Sequence, residues 1–434
     1  MPISRRQFIK RSAGAVSVTV VLPKLWLADA LAQSNNPARR IFVVIQLAGG
    51  VDGLNTVVPY TNSRYRSLRP TLAFPDTELK DAQGNSTILT SDFGLHPSLS
   101  AIKSLYDAGR VAIVHGVGYP NPNLSHFLSM DIWHTANPIG GQGDGWLGKY
   151  ADLNLLGQSG LSAVSVGNSL PKSLFGDKVV VPNISPAGGT NRFVNYNYIT
   201  DGRHQGDRNN RLNTFRESNS RSFEPDSFIA ALANTGLDAL DGAQQVQDSV
   251  SRYSSTITYP IGTAGNINNL AIAMQMVAQL ITTIPGANLF YVNLGGFDHH
   301  SQEIGNTRAE GQLATLLRYY SEAVKAFYDD MVEHGLVDNV LMMQWSEFGR
   351  RPNENASRGT DHGTAAPMMV IGNPVRGGLY GEHPSLETLD LDRAGNLKFT
   401  VDFRAVYATI LDKWLGADSQ AILGERYEDV GFLG

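Results

Sequence analysis

The sequence predicts an α/β protein with a doubly wound, mostly parallel central sheet and helices on both faces. Short, almost continuously apolar runs rich in β-branched residues recur along the chain, as is typical of strands buried on both faces. These runs alternate with longer segments whose apolar residues have helical spacing, the order expected of βαβ units. With 434 residues, 42% of them hydrophobic, the chain can bury a large core.

The first apolar run, residues 41–47, is stopped by Gly49 and Gly50 and is predicted to be the first central strand. A helix at 96–107 and a second buried strand at 111–115 follow, which completes a β, α, β order. Later strands are predicted at 161–166, 289–293, 340–344 and 367–371. Later helices are predicted at 267–281, 311–333 and 403–414.

The amino terminus has the order of a twin-arginine export signal. Residues 4–10 read SRRQFIK, in which Arg5 and Arg6 form the arginine pair, and an apolar stretch at 13–22 follows. This stretch is shorter than the roughly 20 residues of a membrane-spanning helix, so we expect cleavage before Gln33 and no stable membrane anchor. The predicted location is periplasmic or extracellular. The alternative is an amphipathic first helix of the folded domain.

The domain organisation predicted is a signal peptide at 1–32 and one α/β domain at 33–434, with an insertion or cap at 185–260. Residues 185–221 are rich in Asn, Arg, Gly and Ser and have no sustained period. Residues 226–250 have helical spacing, so this helix is expected to cap the site or to contact a partner.

Composition excludes several kinds of site and partner. The chain has no cysteine, which rules out disulfides, zinc-thiolate sites, iron–sulfur clusters and a cysteine nucleophile. Removing residues 1–32 takes five basic residues and one acidic residue from totals of 35 and 40, leaving 30 and 39 and a net charge of −9. Because a nucleic-acid-binding protein needs a clustered basic surface, nucleic acid is not expected as a partner.

Polar residues collect where four predicted strands end, as reactive groups do in parallel sheets. The first strand is followed by GGVDGLN at 49–55, where Asp52 is a candidate metal ligand beside glycines that let a ligand approach the backbone. Asn55 is an additional candidate. The alternative for Asp52 is a turn or helix-cap aspartate.

The strand at 289–293 is followed by GGFDHH at 295–300, which holds one carboxylate and two imidazoles within three residues. Carboxylate oxygen and imidazole nitrogen are ligands for hard and borderline cations. Asp298 and His300 are therefore predicted metal ligands. His299 is expected to point away or to support a ligand.

The strand at 340–344 is followed by WSEFGRR at 345–351, and GTDHGT at 359–364 follows a polar loop. Asp361 and His362 are adjacent and bracketed by glycines, so a sharp turn would let both reach one ion. The alternative is a helix-capping Asp361 with a surface His362. Arg350 is predicted either to clamp a tetrahedral oxyanion or to pair with acids such as Glu354.

A nucleophile is expected at a helix N-terminus just after a strand, where backbone N–H groups favour an anion. The segment at 116–127 fits, with Ser125 as first candidate and Ser129 as second, and an ordinary helix cap is the alternative. His126 would orient the nucleophile or lie on the helix surface. Serine-esterase, P-loop and zincin motifs do not occur in the sequence.

These motifs together resemble a known family. GG-x-DG at 49–53, Ser125, GFDHH at 296–300, SEFGR at 346–350 and TDHG at 360–363 resemble a bacterial exported family known as domain of unknown function 1501, over nearly the whole mature chain. That family is similar to the alkaline phosphatase superfamily, which includes sulfatases and cofactor-independent phosphoglycerate mutases.

The resemblance implies a site with divalent metal ions, either one or two of Zn, Mn, Ca or Mg. Asp52, Asp361 and His362 would hold one ion beside the nucleophile Ser125, and Asp298 and His300 would hold a second. Arg350 would add positive charge during an in-line displacement. Glu347 and His383 are additional candidate ligands. Three alternatives are open: the chain binds one ion, it binds two ions with Glu347 as a substitute ligand, or it has lost catalysis.

The implied function is an exported metal-dependent hydrolase of phosphate or sulfate esters, acting on a small-molecule or surface-polymer ester and exported by the twin-arginine machinery. Phosphotransfer between sugar or lipid hydroxyls would use the same site. The alternative is a non-catalytic exported protein of the same fold that assists assembly or secretion of surface components, with residues 185–250 as its contact surface.

Overall fold

The computed structural model describes residues 39–158, 160–185, 205–224 and 227–434. The predicted signal peptide and residues 186–204 of the predicted insertion lie outside the described residues. Within the described ranges, no helix combines the length and the apolar character needed to cross a membrane.

The strands of the described residues are β1 (Ile41–Ala48), β2 (Val57–Val58), β3 (Gly94–Leu95), β4 (Val111–Gly118), β5 (Ala163–Val166), β6 (Asn183–Ile184), β7 (Gly262–Thr263), β8 (Asn266–Ile267), β9 (Leu289–Gly295), β10 (Val340–Trp345), β11 (Arg350–Glu354), β12 (Thr360–His362), β13 (Ala366–Ile371), β14 (Gly378–Tyr380) and β15 (Val401–Asp402).

The α-helices are α1 (Gly53–Thr56), α2 (Ser63–Leu68), α3 (Ser100–Asp107), α4 (His126–Thr135), α5 (Trp146–Asn154), α6 (Gln205–Asn219), α7 (Phe228–Arg252), α8 (Asn269–Thr283), α9 (Gln312–Glu333), α10 (Phe403–Ile410) and α11 (Ser419–Leu423).

The central sheet has the strand order β14-β4-β13-β10-β1-β9-β5-β6, and β15 pairs with β4. β1 is parallel to both β9 and β10, and β13 is antiparallel to both β10 and β4. The sheet is therefore mostly parallel, as predicted, with one inserted antiparallel strand. Because β13 runs antiparallel to both of its neighbours, β4 and β10 have the same direction. The carboxyl ends of β1, β4, β9 and β10 therefore all lie at the same edge of the sheet.

β1 shows why the central strands are continuously apolar. Its alternate side chains Ile41, Val43 and Ile45 pack in one core with α3, α8 and α9. The intervening side chains Phe42 and Val44 pack in a second core with α4, α5, α10 and α11. Because helices cover both faces, both sets of side chains must be apolar, and the doubly wound arrangement is confirmed.

The helices differ from the predicted bounds at particular ends. The helix predicted from residue 267 begins at Asn269, because the Asn268 side chain accepts a hydrogen bond from Ala271 N and so caps it, while Ile267 lies in β8. The helix predicted at 403–414 continues beyond Ile410 as a π-helical turn, Leu411–Leu415.

Candidate functional site

The shared edge of the sheet collects the loops that follow β1, β4, β9 and β10, together with the β11–β12 hairpin. α4 begins with His126 after β4, Asp298 and His300 follow β9, and His362 ends β12. His126, Asp298 and His362 each offer a ligand atom within 4.8 Å of the others, the one such group among the described residues.

Asp298 is the centre of this group. Its Oδ1 lies 3.0 Å from His300 Nε2 and 3.1 Å from His362 Nε2, and its Oδ2 lies 3.5 Å from His126 Nε2. The Nε2 atoms of His300 and His362 are 2.9 Å apart. Three imidazole nitrogens therefore converge on one carboxylate.

Each of the three rings has its other nitrogen held by an acceptor. His126 Nδ1 is 2.8 Å from the buried Glu347 Oε1, His362 Nδ1 is 2.8 Å from the Leu124 carbonyl oxygen, and His300 Nδ1 is 3.3 Å from Asp361 Oδ1. An acceptor at Nδ1 assigns the proton of a neutral ring to that nitrogen, which leaves a lone pair on Nε2. Lone pairs thus face lone pairs, an arrangement that a cation relieves.

The donor set fits a transition-metal ion. The contacts of Asp298 with the three rings and of His300 with His362, at 2.9 to 3.5 Å, are close to the roughly 3.3 Å expected between ligands of a tetrahedral ion with bonds of about 2 Å. Imidazole nitrogens favour ions such as Zn over Mg or Ca. The buried Nε2 of His126 has no hydrogen-bond partner among the described residues, which leaves it available as a ligand.

The charges of the group are set by two neighbours. Burial would raise the pKa of Asp298, but the hydrogen bond from Arg350 and the Arg350 charge lower it well below its usual range. The hydrogen bond to Glu347 raises the pKa of His126. Asp298 is therefore ionised at neutral pH.

Asp361 contacts the group through His300 and not directly. Its Oδ1 faces His300 Nδ1 and also accepts a hydrogen bond from Asn355 Nδ2 at 3.1 Å. The predicted sharp turn therefore does not bring both Asp361 and His362 to one point, because β12 is extended and adjacent side chains point to opposite faces. Asp361 orients a candidate ligand.

Asp52 does not join the donor group either. Its buried carboxylate accepts a hydrogen bond from Arg69 Nη1 at 2.5 Å, and Glu303 lies beside both. Burial and the Asp52 charge raise the pKa of Glu303 well above its usual value, whereas Arg69 outweighs burial and lowers the pKa of Asp52. Asn55 donates to Glu303 at 3.5 Å and accepts from Tyr65 at 2.7 Å, so it belongs to the same buried network.

Arg350 is not available as an oxyanion clamp. It is 2% exposed, and its guanidinium donates to the carbonyls of Gly49, Gly50, Phe297 and Thr360 and to Asp298 Oδ1. The predicted pairing of Arg350 with Glu354 is also absent from the described structure, because Glu354 accepts hydrogen bonds from Thr71 and Leu72 instead. Arg350 joins the segments that follow β1 and β9 to the hairpin.

Ser125 is exposed and directly precedes α4, so it lies between Leu124 and His126, which both contact the group. Its side chain makes no capping hydrogen bond within the described structure, which removes the helix-cap alternative for its hydroxyl. Ser129 is buried and donates to the Glu347 carbonyl oxygen at 2.5 Å, so its role is structural.

His383 lies in a different place. Its ring packs against His115 and Phe93, with centroids 5.4 and 5.1 Å away. Both histidines line a small cavity of about 20 Å³, which Arg350 also lines. Burial lowers the pKa of each histidine to about 4. The described residues therefore do not assemble His383 with the donor group.

Sequence reasoning underrated His126 and missed Arg69 and Glu303. The acceptor that turns His126 toward Asp298 is Glu347, which follows β10 more than two hundred residues later in the chain and leaves no local signal. Arg69 lies in a short polar helix-loop segment where a basic residue is expected to be exposed.

The chain belongs to the family described as protein of unknown function DUF1501, whose model matches residues 38–425, so the predicted resemblance is confirmed. No curated protein sequence matches the chain.

Similar solved structures include a protein in the alkaline phosphatase superfamily from Vibrio parahaemolyticus, with 9% identity, TM-score 0.34 and coverage of 88% of this chain and 72% of that one. The C-terminal periplasmic domain of EcEptC from Escherichia coli, in complex with Zn, has 8% identity, TM-score 0.36 and coverage of 78% and 74%. The lipoteichoic acid synthase LtaP from Listeria monocytogenes has 9% identity, TM-score 0.27 and coverage of 91% and 80%.

Proposed function

We propose that this protein is a metal-dependent hydrolase of phosphate or sulfate esters. His126, Asp298, His300 and His362 would hold one divalent ion, of which Zn fits the donor set best. The observation that carries the proposal is the convergence of three Nε2 lone pairs on the Asp298 carboxylate. The ion, when bound, would supply Lewis-acid polarisation of an ester oxygen.

Ser125 is the proposed nucleophile. It is exposed, its hydroxyl is free of a capping bond to the described residues, and it precedes a ligand by one position. The first backbone N–H groups of α4 lie next to it and favour an anionic phosphate or sulfate group at that place. Glu347 and Asp361 hold the Nδ1 protons of His126 and His300, which keeps both Nε2 atoms turned toward Asp298.

The test combines metal content with ester hydrolysis. Metal content is measured by plasma mass spectrometry on the mature protein. Turnover is measured with aryl phosphate esters and with aryl sulfate esters as substrates. The His126→Ala/His362→Ala double variant removes two ligands. His334→Ala is the matched control, because His334 is 23% exposed, close to the 24% and 22% of the two ligands, and directly follows the C-terminal end of α9, outside the donor group.

We expect near-stoichiometric metal in the wild type and in His334→Ala, and its loss in the double variant. Ser125→Ala is expected to keep the metal and to lower turnover at least about a hundredfold. A wild type that binds no divalent ion after loading would refute the proposal. Metal binding without turnover of either ester class would refute the proposed hydrolase activity and would support only the metal site.

The non-catalytic alternative has one observation in its favour. α7 exposes the apolar side chains of Ile229, Leu232 and Val250 by 56%, 46% and 43%, the kind of surface that partner proteins cover. If assembly or secretion of surface components is the function, single alanine variants of the ligands keep cellular function even where they lose the metal.

Export by the twin-arginine machinery is part of the proposal and is supported by the SRRQFIK segment at 4–10. Replacing Arg5 and Arg6 with lysine is expected to leave uncleaved precursor in the cytoplasm. Normal processing and export of that variant would refute this route.

A further inference from the structure

We infer that Arg69 is a positioning residue for the candidate metal centre, because it fixes the β11–β12 hairpin that carries Asp361 and His362. For its effect on metal binding the inference rests on the proposed function. Arg69 is fully buried, outside the donor group, and lies in a segment to which no motif assigns a role.

The pairing of the hairpin strands is interrupted, and Arg69 donates hydrogen bonds to the backbone at the interruption. β11 and β12 pair at Arg350 with His362 and at Glu354 with Thr360, and the register shifts between these pairs. Within the shift, the Arg351 and Pro352 carbonyls accept hydrogen bonds from Arg69 Nη2 and Nε, each at 2.9 Å. Since proline has no N–H, regular pairing cannot continue through this stretch.

The remaining edge of the guanidinium ties the hairpin to the end of β1. Arg69 Nη1 donates to Asp52 Oδ2 at 2.5 Å, and Asp52 lies in the segment between β1 and α1. Glu303, in the same buried group, accepts a hydrogen bond from Thr360 Oγ1 at 2.9 Å. The group formed by Asp52, Arg69 and Glu303 therefore holds β11 on one side and β12 on the other.

Only a guanidinium suits this arrangement. Its planar fork reaches two carbonyls and one carboxylate in different directions, whereas a lysine ammonium is a point charge on a flexible stem. Arg69→Lys therefore keeps the buried charge next to Asp52 while it loses at least one of the bonds to the hairpin.

The consequence for the site follows from the residues that the hairpin carries. His362 Nε2 faces Asp298, and Asp361 holds the ring of His300. Movement of the hairpin would displace one candidate ligand and release the orientation of another. Loss of groups that orient metal ligands lowers metal affinity by about 10- to 100-fold.

The experiment compares Arg69→Lys with Arg39→Lys. Arg39 is a matched control because it is also buried and donates to backbone carbonyls, those of Ile281 and Ala287 at 2.9 and 2.6 Å, but at the opposite edge of the sheet. Zn²⁺ affinity is measured by competition with a chromophoric chelator. Amide hydrogen exchange of residues 350–363 is measured in the metal-free proteins.

We expect Arg69→Lys to lower Zn²⁺ affinity at least about tenfold and to accelerate exchange in the hairpin, while Arg39→Lys lowers the melting temperature and changes neither. Unchanged affinity and exchange in Arg69→Lys, or equal changes in both variants, would overturn the inference. If the wild type binds no Zn²⁺, the proposed function fails, and hairpin exchange alone decides the inference.

A second variant covers the case in which Arg69→Lys does not fold. Thr360→Val removes the hydrogen bond to Glu303 and leaves the Arg69–Asp52 pair intact. It is expected to accelerate hairpin exchange and to lower Zn²⁺ affinity by a smaller factor. Wild-type exchange and affinity in this variant would overturn the assignment of the buried group as the hairpin's support.

Discussion

The buried carboxylate of Glu347 accepts hydrogen bonds from His126 Nδ1 and from Gly49 N, both at 2.8 Å. One side chain from the end of β10 thereby joins the end of β1 to the start of α4. The same contact raises the pKa of His126 and directs its Nε2 toward Asp298. Glu347, predicted as an additional ligand, instead orients one.

Glu347→Gln should weaken the site without unfolding the protein. A neutral amide stabilises the His126 proton less than a carboxylate does, so the pKa of His126 is expected to fall. Metal affinity is expected to fall by about 10- to 100-fold. NMR titration of the histidine rings in the metal-free protein measures the pKa of His126, and metal titration measures the affinity. Glu333→Gln, whose carboxylate bonds the distant Thr256, should change neither.

Arg350→Lys distinguishes the role seen in the structure from an oxyanion clamp. Because Arg350 donates to four carbonyls from separate segments, the variant should lower the free energy of unfolding of the metal-free protein by about 2 kcal/mol or more. Urea unfolding measures this. Unchanged stability together with a lower kcat is the result that a clamp predicts.

Gly359→Ala should disturb the approach of the hairpin to the loop after β9. A Cβ at Gly359 would lie 2.5 Å from His300 C and from Ser301 N, both backbone atoms that cannot rotate away. We expect a loss of about 1 to 3 kcal/mol in the free energy of unfolding and weaker metal binding. Gly295→Ala is the control, since a Cβ there meets no described atom within 4 Å. Equal stability of the two variants would contradict this packing.

His96 should make the protein less stable in acid. Burial lowers the pKa of His96 to about 3, against about 6.5 for an unfolded-state histidine. Between these values the unfolded state binds the additional proton, so this contribution to stability is complete above pH 6.5 and is lost as the pH falls. The slope amounts to about 1.4 kcal/mol per pH unit in that window.

His96→Asn tests this contribution while keeping an acceptor for the bond from Ser98 N to His96 Nδ1. Urea unfolding between pH 4.5 and 7.5 should show that the free energy of unfolding falls less steeply with decreasing pH in the variant. The difference in slope should correspond to about one proton. Because burial also lowers the pKa of His134, to about 3, a residual slope is expected. An identical slope in wild type and variant would rule out a buried neutral His96.

Local patterns were sufficient for the elements of the sheet and for part of the site. The run at 41–47 was predictable as a central strand because burial on both faces demands apolar side chains at every position. Asp298, His300 and His362 were predictable as ligand candidates because strand ends and glycines mark them in the sequence. The register shift in β11 was not predictable, since it depends on a bond from Arg69.

The sequence by itself determined the α/β class, the order of strands and helices, the family, and the edge of the sheet where polar groups collect. These follow from periodicity, composition and short motifs, all of which are local. Only the tertiary structure decided that His126 faces Asp298, that Asp52 is held by Arg69, and that Arg350 is bound by carbonyls. Arg350 and Gly50 are 300 positions apart in the sequence, and even Asp52 and Arg69, only 17 positions apart, leave no local pattern that predicts their contact. The geometry of all three pairings depends on how both cores pack against the sheet.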